Sequence, residues 1–540
     1  CFSNYEHRRG NKYRRHFLKF LLLFSFALPF RIHPQIVNVN NVKFKYGVAS
    51  GDPTNTHVIL WTKLNLNIKT NVNVAWEISN ERSFKNLISF GNIVTDYKSD
   101  YTVKVDAKIP PRFNGKKVYY RFKVGNSFSD VGITSTLPKE NPEKFNIAFC
   151  SCSNYPAGYF NAYREMAQNE NIDLVLHLGD YLYEYAWDGY ASERAIQMDR
   201  VVDPNHEILS LDDYRRRHAT YRKDTDLKLL HANKPMIVVW DDHEITNDTW
   251  KEGAQNHSSD EGSFKKRKDF ATQAYFEWMP IRENKNKKQI WRNFTVGNLI
   301  NLLMLDTRHY NRDKQLDIEK YFEIDNFKEK NYMNDLKKPR NLLGKTQLKW
   351  VKSKTNNKYK WSIFGQQILI GPKYLPSVLK FVELETLPSY VHKYVMLAGK
   401  KIPYNTDQWD GYPKEREEFF EIIKNSQSNL ILAGDSHNSW ISNLRDNNDK
   451  FVGVEIGAPA ISSPNFVDTF GEMTTEIDKS FVESNEDLVW TNGINKGYVE
   501  LEVSLNFIDV HFHYVSTVKS RSYEKLQTKS FRVNHAQPLA

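Results

Sequence analysis

Four apolar runs in the chain end on acidic residues. Leu174-Val175-Leu176-His177-Leu178-Gly179 leads into Asp180, and Ile237-Val238-Val239-Trp240 into Asp241 and Asp242. Leu302-Leu303-Met304-Leu305 leads into Asp306, and Leu430-Ile431-Leu432-Ala433-Gly434 into Asp435. Two of these ends also carry a histidine, His243 directly after Asp242 and His437 two residues after Asp435. Carboxylates and imidazoles gathered in one place are the donor types of a metal site. A single carboxylate after a strand can simply cap the following helix. Four of them, two with histidine alongside, are hard to account for as caps and predict a metal centre.

The elements that must hold these residues follow from Phe145 onward, where apolar strand runs alternate with helical stretches in the pattern of an α/β fold. In such sheets ligands sit beyond the carboxyl ends of the strands, so the acidic ends are expected at one rim. The expected fold class is α/β, a β-sandwich flanked by helices over residues 143–535. Between about Lys43 and Thr136 the grammar differs. Short alternating runs such as Val118-Tyr119-Tyr120-Arg121-Phe122-Lys123-Val124, split by Gly, Asn and Pro turns, predict a small all-β, immunoglobulin-like sandwich over 43–138 with no chemistry of its own. Residues 312–341 and 373–406 interrupt the α/β pattern, rich in Lys, Asn, Tyr and Glu without clean periodicity. They read as insertions over one face, lids or, as the preferred reading, surface decoration.

The 540 residues are 40% hydrophobic and 14% aromatic, enough material for two or three cores, which excludes wholesale disorder. No stretch approaches 18 uncharged apolar residues, so a multi-span membrane protein is excluded and no transmembrane domain is expected in the mature protein. The formal charge of +10 sits mostly at one end: residues 1–36 carry seven Lys/Arg against Glu6, a net +6 that leaves +4 elsewhere. So small a remainder argues against a stable nucleic-acid partner, though not against nucleic acid as a substrate.

Basic residues at 8–15 followed by an apolar stretch from Phe17 to Phe30 predict an export signal over 1–36. Arg14-Arg15-His16-Phe17-Leu18-Lys19 resembles the twin-arginine signal, which names the twin-arginine export machinery as a partner. Tyr13 stands where that signal usually has Ser or Thr, and an ordinary secretory signal is the alternative. Either implies a secreted, periplasmic or cell-wall-associated protein. The chain opens on Cys1 instead of Met, so its true start is expected upstream. Three cysteines exclude a disulfide scaffold. A Cys150–Cys152 bridge would close a strained loop, and Cys150 reads as a core residue.

Asp180-x-x-Tyr183, then Asp242-His243-Glu244, then Asp435-x-His437 resembles the two-metal phosphoesterases related to purple acid phosphatases. The whole chain is similar to the PhoD-like family, the alkaline phosphatase D enzymes. The likeness begins with Val48-Ala49-Ser50-Gly51-Asp52-Pro53 and Leu60-Trp61-Thr62, and continues through Gly179-Asp180-Tyr181-Leu182-Tyr183-Glu184 and Asp213-Tyr214-Arg215-Arg216-Arg217-His218. Trp240-Asp241-Asp242-His243-Glu244, Leu305-Asp306-Thr307-Arg308, Trp409-Asp410-Gly411-Tyr412, Gly434-Asp435-Ser436-His437 and Ser462-Ser463-Pro464 complete it in order. The resemblance implies a metallophosphoesterase-type sandwich holding Fe3+ on Cys152, Asp180, Tyr183 and His437, with Ca2+ nearby on Asp180, Asp242, Asp410 and Asp435. A thiolate and a phenolate suit a ferric ion, and carboxylates suit calcium. Ser153 stands where the family commonly has Gln.

His243 is the expected catalytic residue, hydrogen-bonding the phosphoryl group or protonating the leaving oxygen, with Asp241 or Glu244 orienting it. Arg308 is the expected phosphate-neutralising residue, with an Arg–Asp structural pair as its alternative. The expected activity is hydrolysis of a phosphate mono- or diester by metal-hydroxide attack, releasing phosphate. The alternative is an exported, non-catalytic binding protein with a structural metal site.

Overall fold

The computed structural model describes residues 41–283, 289–324, 326–387 and 389–539, so the expected export signal over 1–36 lies outside the described residues. Burial along the strands separates two kinds. Val118–Val124 and Thr102–Lys108 alternate between buried and partly exposed positions, as antiparallel strands with one wet face do. Phe145–Cys150, Leu174–His177, Pro235–Val238, Ile300–Met304, Trp361–Gly365 and Asn429–Ala433 are buried at every position, as parallel strands covered on both faces must be.

Among the described residues these strands form two large sheets. The nine-stranded one runs Lys529–Asn534, Phe507–Val515, Lys496–Val503, Phe145–Cys150, Leu174–His177, Pro235–Val238, Val48–Gly51, His57–Lys63, Thr102–Lys108. Its four strands from Phe145–Cys150 to Val48–Gly51 are parallel. The seven-stranded one runs Arg292–Val296, Ile300–Met304, Trp361–Gly365, Asn429–Ala433, Phe451–Gly457, Ser439–Arg445, Leu488–Asn492, with its second to fifth strands parallel.

The two-residue period of a strand assigns each side chain to a layer. Leu302, Met304, Ile363, Leu430 and Leu432 face the other sheet and share a core with Ile147, Phe149 and Val175. Leu303, Leu305, Phe364 and Ile431 face outward, onto Leu348 of the helix Gly344–Lys354 and Phe419 and Phe420 of Pro413–Ile423. Helices Asn161–Gln168, Leu211–Tyr221, Thr225–Asn233 and Phe264–Trp278 add Tyr163, Tyr214, Leu227 and Ala274 to the main core. This is the expected α/β sandwich flanked by helices. No described helix is long and apolar enough to cross a membrane.

The N-terminal region is all-β, but one of its two layers is the end of the nine-stranded sheet. Val72–Ser79, Leu87–Thr95, Val118–Val124, Ser127–Phe128 and Gly132–Thr134 make a separate five-stranded sheet. Its Val74, Ile78, Tyr120 and Phe122 pack on Val58, Leu60, Val103 and Val105 of the large sheet. Trp61 crosses the junction, 5.8 Å from the Trp278 ring and donating from Nε1 to the Glu277 carbonyl at 2.8 Å.

The two insertions are more than surface decoration. Ile318, Tyr332, Leu336, Leu375, Leu379 and Leu397 share a core with Trp440 of the body and with Ile477 and Phe481 of the helix Thr474–Ser484. These side chains come from the short helix Glu329–Leu336 and from 3-10 turns and loops around it, which is why no long periodicity announces the cap.

Candidate metal centre

Three neighbouring parallel strands of the large sheet deliver Cys152, Asp180 and the Asp241–His243 turn to one rim, and the facing sheet delivers Asp435 and His437. The backbone there is unusual. Cys152, Asp180, Asp435 and His437 all have left-handed φ, at 61°, 51°, 60° and 63°. Such residues cost free energy and persist where their surroundings hold them. Gly179 makes one of these turns possible. Its φ is 112°, and a Cβ there would fall against the Asp241 backbone, 2.5 Å from its nitrogen.

The donors form three overlapping groups, each with ligand atoms within 4.8 Å of one another: Cys152, Asp180 and His437; Asp180, Asp242 and His243; Asp241, Asp242 and Asp435. Tyr183 joins the first, its Oη 3.0 Å from Asp180 Oδ2 and 3.4 Å from His437 Nε2. Asp180 and Asp242 each belong to two groups, as carboxylates bridging a pair of cations would. The fit to cations rests on orphaned atoms. Asp180 Oδ1 and Asp241 Oδ2 are buried with no hydrogen-bond partner among the described residues, and Asp242 Oδ1 has only the Arg308 guanidinium, 3.9 Å away. Buried acceptors in that condition cost free energy unless positive charge meets them.

Electrostatics point the same way. Burial first, then the Asp180 charge, push the Cys152 thiol and the Tyr183 phenol well above their ordinary values. Burial also pushes the Asp180 carboxyl well up. Burial works to raise Asp242 too, but Arg308 and His243 outweigh it and hold this carboxyl below the usual range. Burial and mutual repulsion oppose the joint ionisation of these acids, and positive charge at the cluster relieves both. His437 is pushed down to about 4 by burial and is neutral at neutral pH. Its Nδ1 lies 2.6 Å from the Pro464 carbonyl, which can only accept, so the proton is on Nδ1 and the Nε2 lone pair faces the centre.

His243 stands against Tyr183, ring centroids 4.1 Å apart. Its Nδ1 meets Glu184 Oε2 at 2.6 Å. Glu184, and not Asp241 or Glu244, therefore orients it. Asp241 is taken by Arg308 Nε, and Glu244 accepts the backbone N–H groups of Asp180, Tyr181 and Asp241 at 3.2, 2.6 and 2.7 Å. Glu184 is locked by Thr246 Oγ1 at 3.1 Å, Asn247 N–H at 2.8 Å and Asn256 Nδ2 at 2.9 Å. Burial alone would lower the His243 pKa, but Glu184, Asp242 and Asp180 raise it well above its ordinary value.

Arg308 takes the structural-pair alternative. It is fully buried, with Nε on Asp241, Nη1 2.6 Å from Asp407 and Nη2 2.9 Å from Asp435. Asp410 stands apart from the cluster. The 3-10 turn Trp409–Gly411 turns it to Arg416, at 2.7 Å, and to the Lys373 N–H, at 3.2 Å. The carboxylate of that segment which reaches the centre's edge is Asp407. Asp306 closes a local turn and caps no helix, accepting the Arg308 and His309 N–H groups at 3.0 and 2.8 Å. Cys150 and Cys152 are both free, and Cys150 lies in the main core. Ser153, buried, donates to the Tyr181 carbonyl at 2.9 Å. Of the residues that sequence reasoning passed over, Glu184 carried a signal, since it closes the Gly179–Glu184 motif. Asp407 carried none.

A family model described as PhoD-like phosphatase matches residues 147–512, and one described as the PhoD-like phosphatase N-terminal domain matches residues 32–138. Alkaline phosphatase D of Bacillus subtilis (strain 168) is 34% identical over 524 residues, 91% of this chain and 82% of that protein. The solved structure of PhoD has a TM-score of 0.77 and 32% identity, covering 93% of both chains.

Proposed function

We propose that this chain, which belongs to the PhoD-like phosphatase family and is a phosphoric ester hydrolase, works with a ferric ion and calcium at the strand-end cluster, outside the cytoplasm. The supporting observation is the three overlapping donor groups, which Asp180 and Asp242 link to one another. Cys152, Asp180, Tyr183 and His437 would hold the ferric ion, their thiolate and phenolate offsetting its charge. Asp180, Asp242 and Asp435 would hold calcium, an oxygen-seeking cation. Bound there, the ions would supply the positive charge that lowers the pKa of water at the site and neutralises the phosphoryl group.

The chain's own residues do the rest. His243, held at Nδ1 by Glu184, offers Nε2 to a phosphoryl oxygen or to the departing alcohol, and its raised pKa supplies the proton. Arg308 ties Asp241, Asp407 and Asp435 into one rim, so the carboxylates keep their spacing when charge enters. Water attacks phosphorus directly and no protein nucleophile is required. The substrate is a phosphate mono- or diester. Export by the twin-arginine route belongs to the same proposal and rests on Arg14-Arg15-His16-Phe17-Leu18-Lys19.

Initial rates on p-nitrophenyl phosphate and its bis ester, with and without a calcium chelator and with iron and calcium measured, test this. Chelator-sensitive turnover is the expected result, and the ratio of the two rates separates monoester from diester preference. No turnover of either with both ions bound would favour an exported binding protein with a structural metal site.

A further inference from the structure

A cavity of about 1170 Å³ opens beside the centre. Asp248 and Asp407 belong to both: the Asp248 N–H donates to Asp242 Oδ2 at 2.6 Å, and Asp407 holds Arg308. Sites for drug-sized ligands run to about 300–1,000 Å³, so this space exceeds what a bare phosphate needs. Beyond those two aspartates the insertions and the helices after residue 465 build much of the wall. Leu316, Leu379, Val395, Phe470 and Phe481 line it with apolar surface. The wall's carboxylates are mostly answered: Asp317 pairs with Lys320, Glu319 with Lys393 and Asp407 with Arg308 and Arg312, while burial pushes Asp248 up to about 8. An anionic arm entering here would lose its water against apolar surface, whereas an uncharged hydrocarbon would meet its own kind.

We infer that the cap determines specificity, and that the cavity takes the alcohol arm of a phosphate ester when that arm is apolar and uncharged, and rejects anionic arms. The inference rests on the phosphate-ester reading of the centre. Each methylene that leaves water there favours binding by about fourfold at full burial, so selection among esters is read from arm length. Val395 and Phe470 are both half-buried on the cavity wall, and Phe470 also packs against the cap core.

The full-length, metal-loaded protein is assayed for phosphate release from ethyl, butyl, hexyl and octyl phosphate below micelle-forming concentrations. A hexyl phosphate ending in a carboxylate and p-nitrophenyl phosphate complete the set. We expect kcat/KM to rise at least about tenfold from ethyl to octyl, carried mainly by KM, and to fall back about tenfold for the carboxylated arm. Val395→Glu should flatten the octyl-to-ethyl ratio, and Phe470→Ala should reduce it. The ratio within one protein cancels any general loss. A flat series, or a preference for the carboxylated arm, in wild-type protein that turns over p-nitrophenyl phosphate would overturn the inference. Failure on p-nitrophenyl phosphate itself would instead sink the reading of the centre.

Discussion

Asp180 belongs to two donor groups at once, so its loss must be felt by both. Asp180→Ala is expected to release iron and calcium together and to abolish turnover, and a variant with intact rates on p-nitrophenyl phosphate refutes the centre. Asp410 makes the opposite case. Its carboxylate is spent on Arg416 and the Lys373 N–H, so Asp410→Asn should keep its calcium in elemental analysis. It should lose about 2 kcal/mol in urea unfolding instead, since a nearly buried guanidinium is left without its acid. His243→Ala should cost about 100- to 10,000-fold in kcat while iron and calcium stay bound, which separates proton delivery from metal holding. Residue types in order single out Cys152, Asp180, Tyr183, Asp242, Asp435 and His437 as proposed ligands, and the fold gathers these side chains at one rim. Residue types were not enough to divide the carboxylates of one segment. Asp407 precedes the 3-10 turn Trp409–Gly411 and reaches Arg308, 99 positions away in the chain, whereas Asp410 lies within the turn and meets Arg416, six positions on. The partner of His243 was missed for a like reason, lying 59 positions earlier.

At the scale of elements, what the sequence made plain were the buried parallel strands, because a run of apolar residues ending in an acid is a local pattern. The cap was opaque, because its core is assembled from the short helix Glu329–Leu336 and from scattered side chains on 3-10 turns and loops, too brief a pattern to stand out. One helix of that region carries a testable charge. Asp478, on Thr474–Ser484, accepts the Gly493 N–H at 2.8 Å through Oδ2, while its Oδ1 is buried without a hydrogen-bond partner among the described residues. Burial pushes this carboxyl up to about 6. A raised folded-state value means that the folded protein holds the proton more tightly than the unfolded chain. The associated stability is complete below about 4 and is lost as pH rises through about 6. Asp478→Asn should therefore gain stability over wild type at pH 8 and show little difference at pH 4, measured by urea unfolding at both.

For the whole molecule, the N-terminal sandwich and the catalytic body share the nine-stranded sheet, so the two are expected to fold as one unit. Residues 143–535 expressed alone would leave the strand Pro235–Val238 without its parallel neighbour Val48–Gly51 and would expose Trp278 where Trp61 packs. That fragment is expected to be insoluble or to melt well below the full chain, which itself should unfold in a single calorimetric transition. A soluble fragment of equal melting temperature would show the two regions to be independent. The order of strands also sets a clock. Phe145–Cys150, which leads to Cys152, pairs on one side with Leu174–His177, and on the other with Lys496–Val503. Some 350 residues must be synthesised between the strand and this second partner. At about 5–20 residues per second that is roughly 20–70 s. Through that interval the future edge of the metal centre has one side open, so a growing chain must be shielded until its last strands arrive.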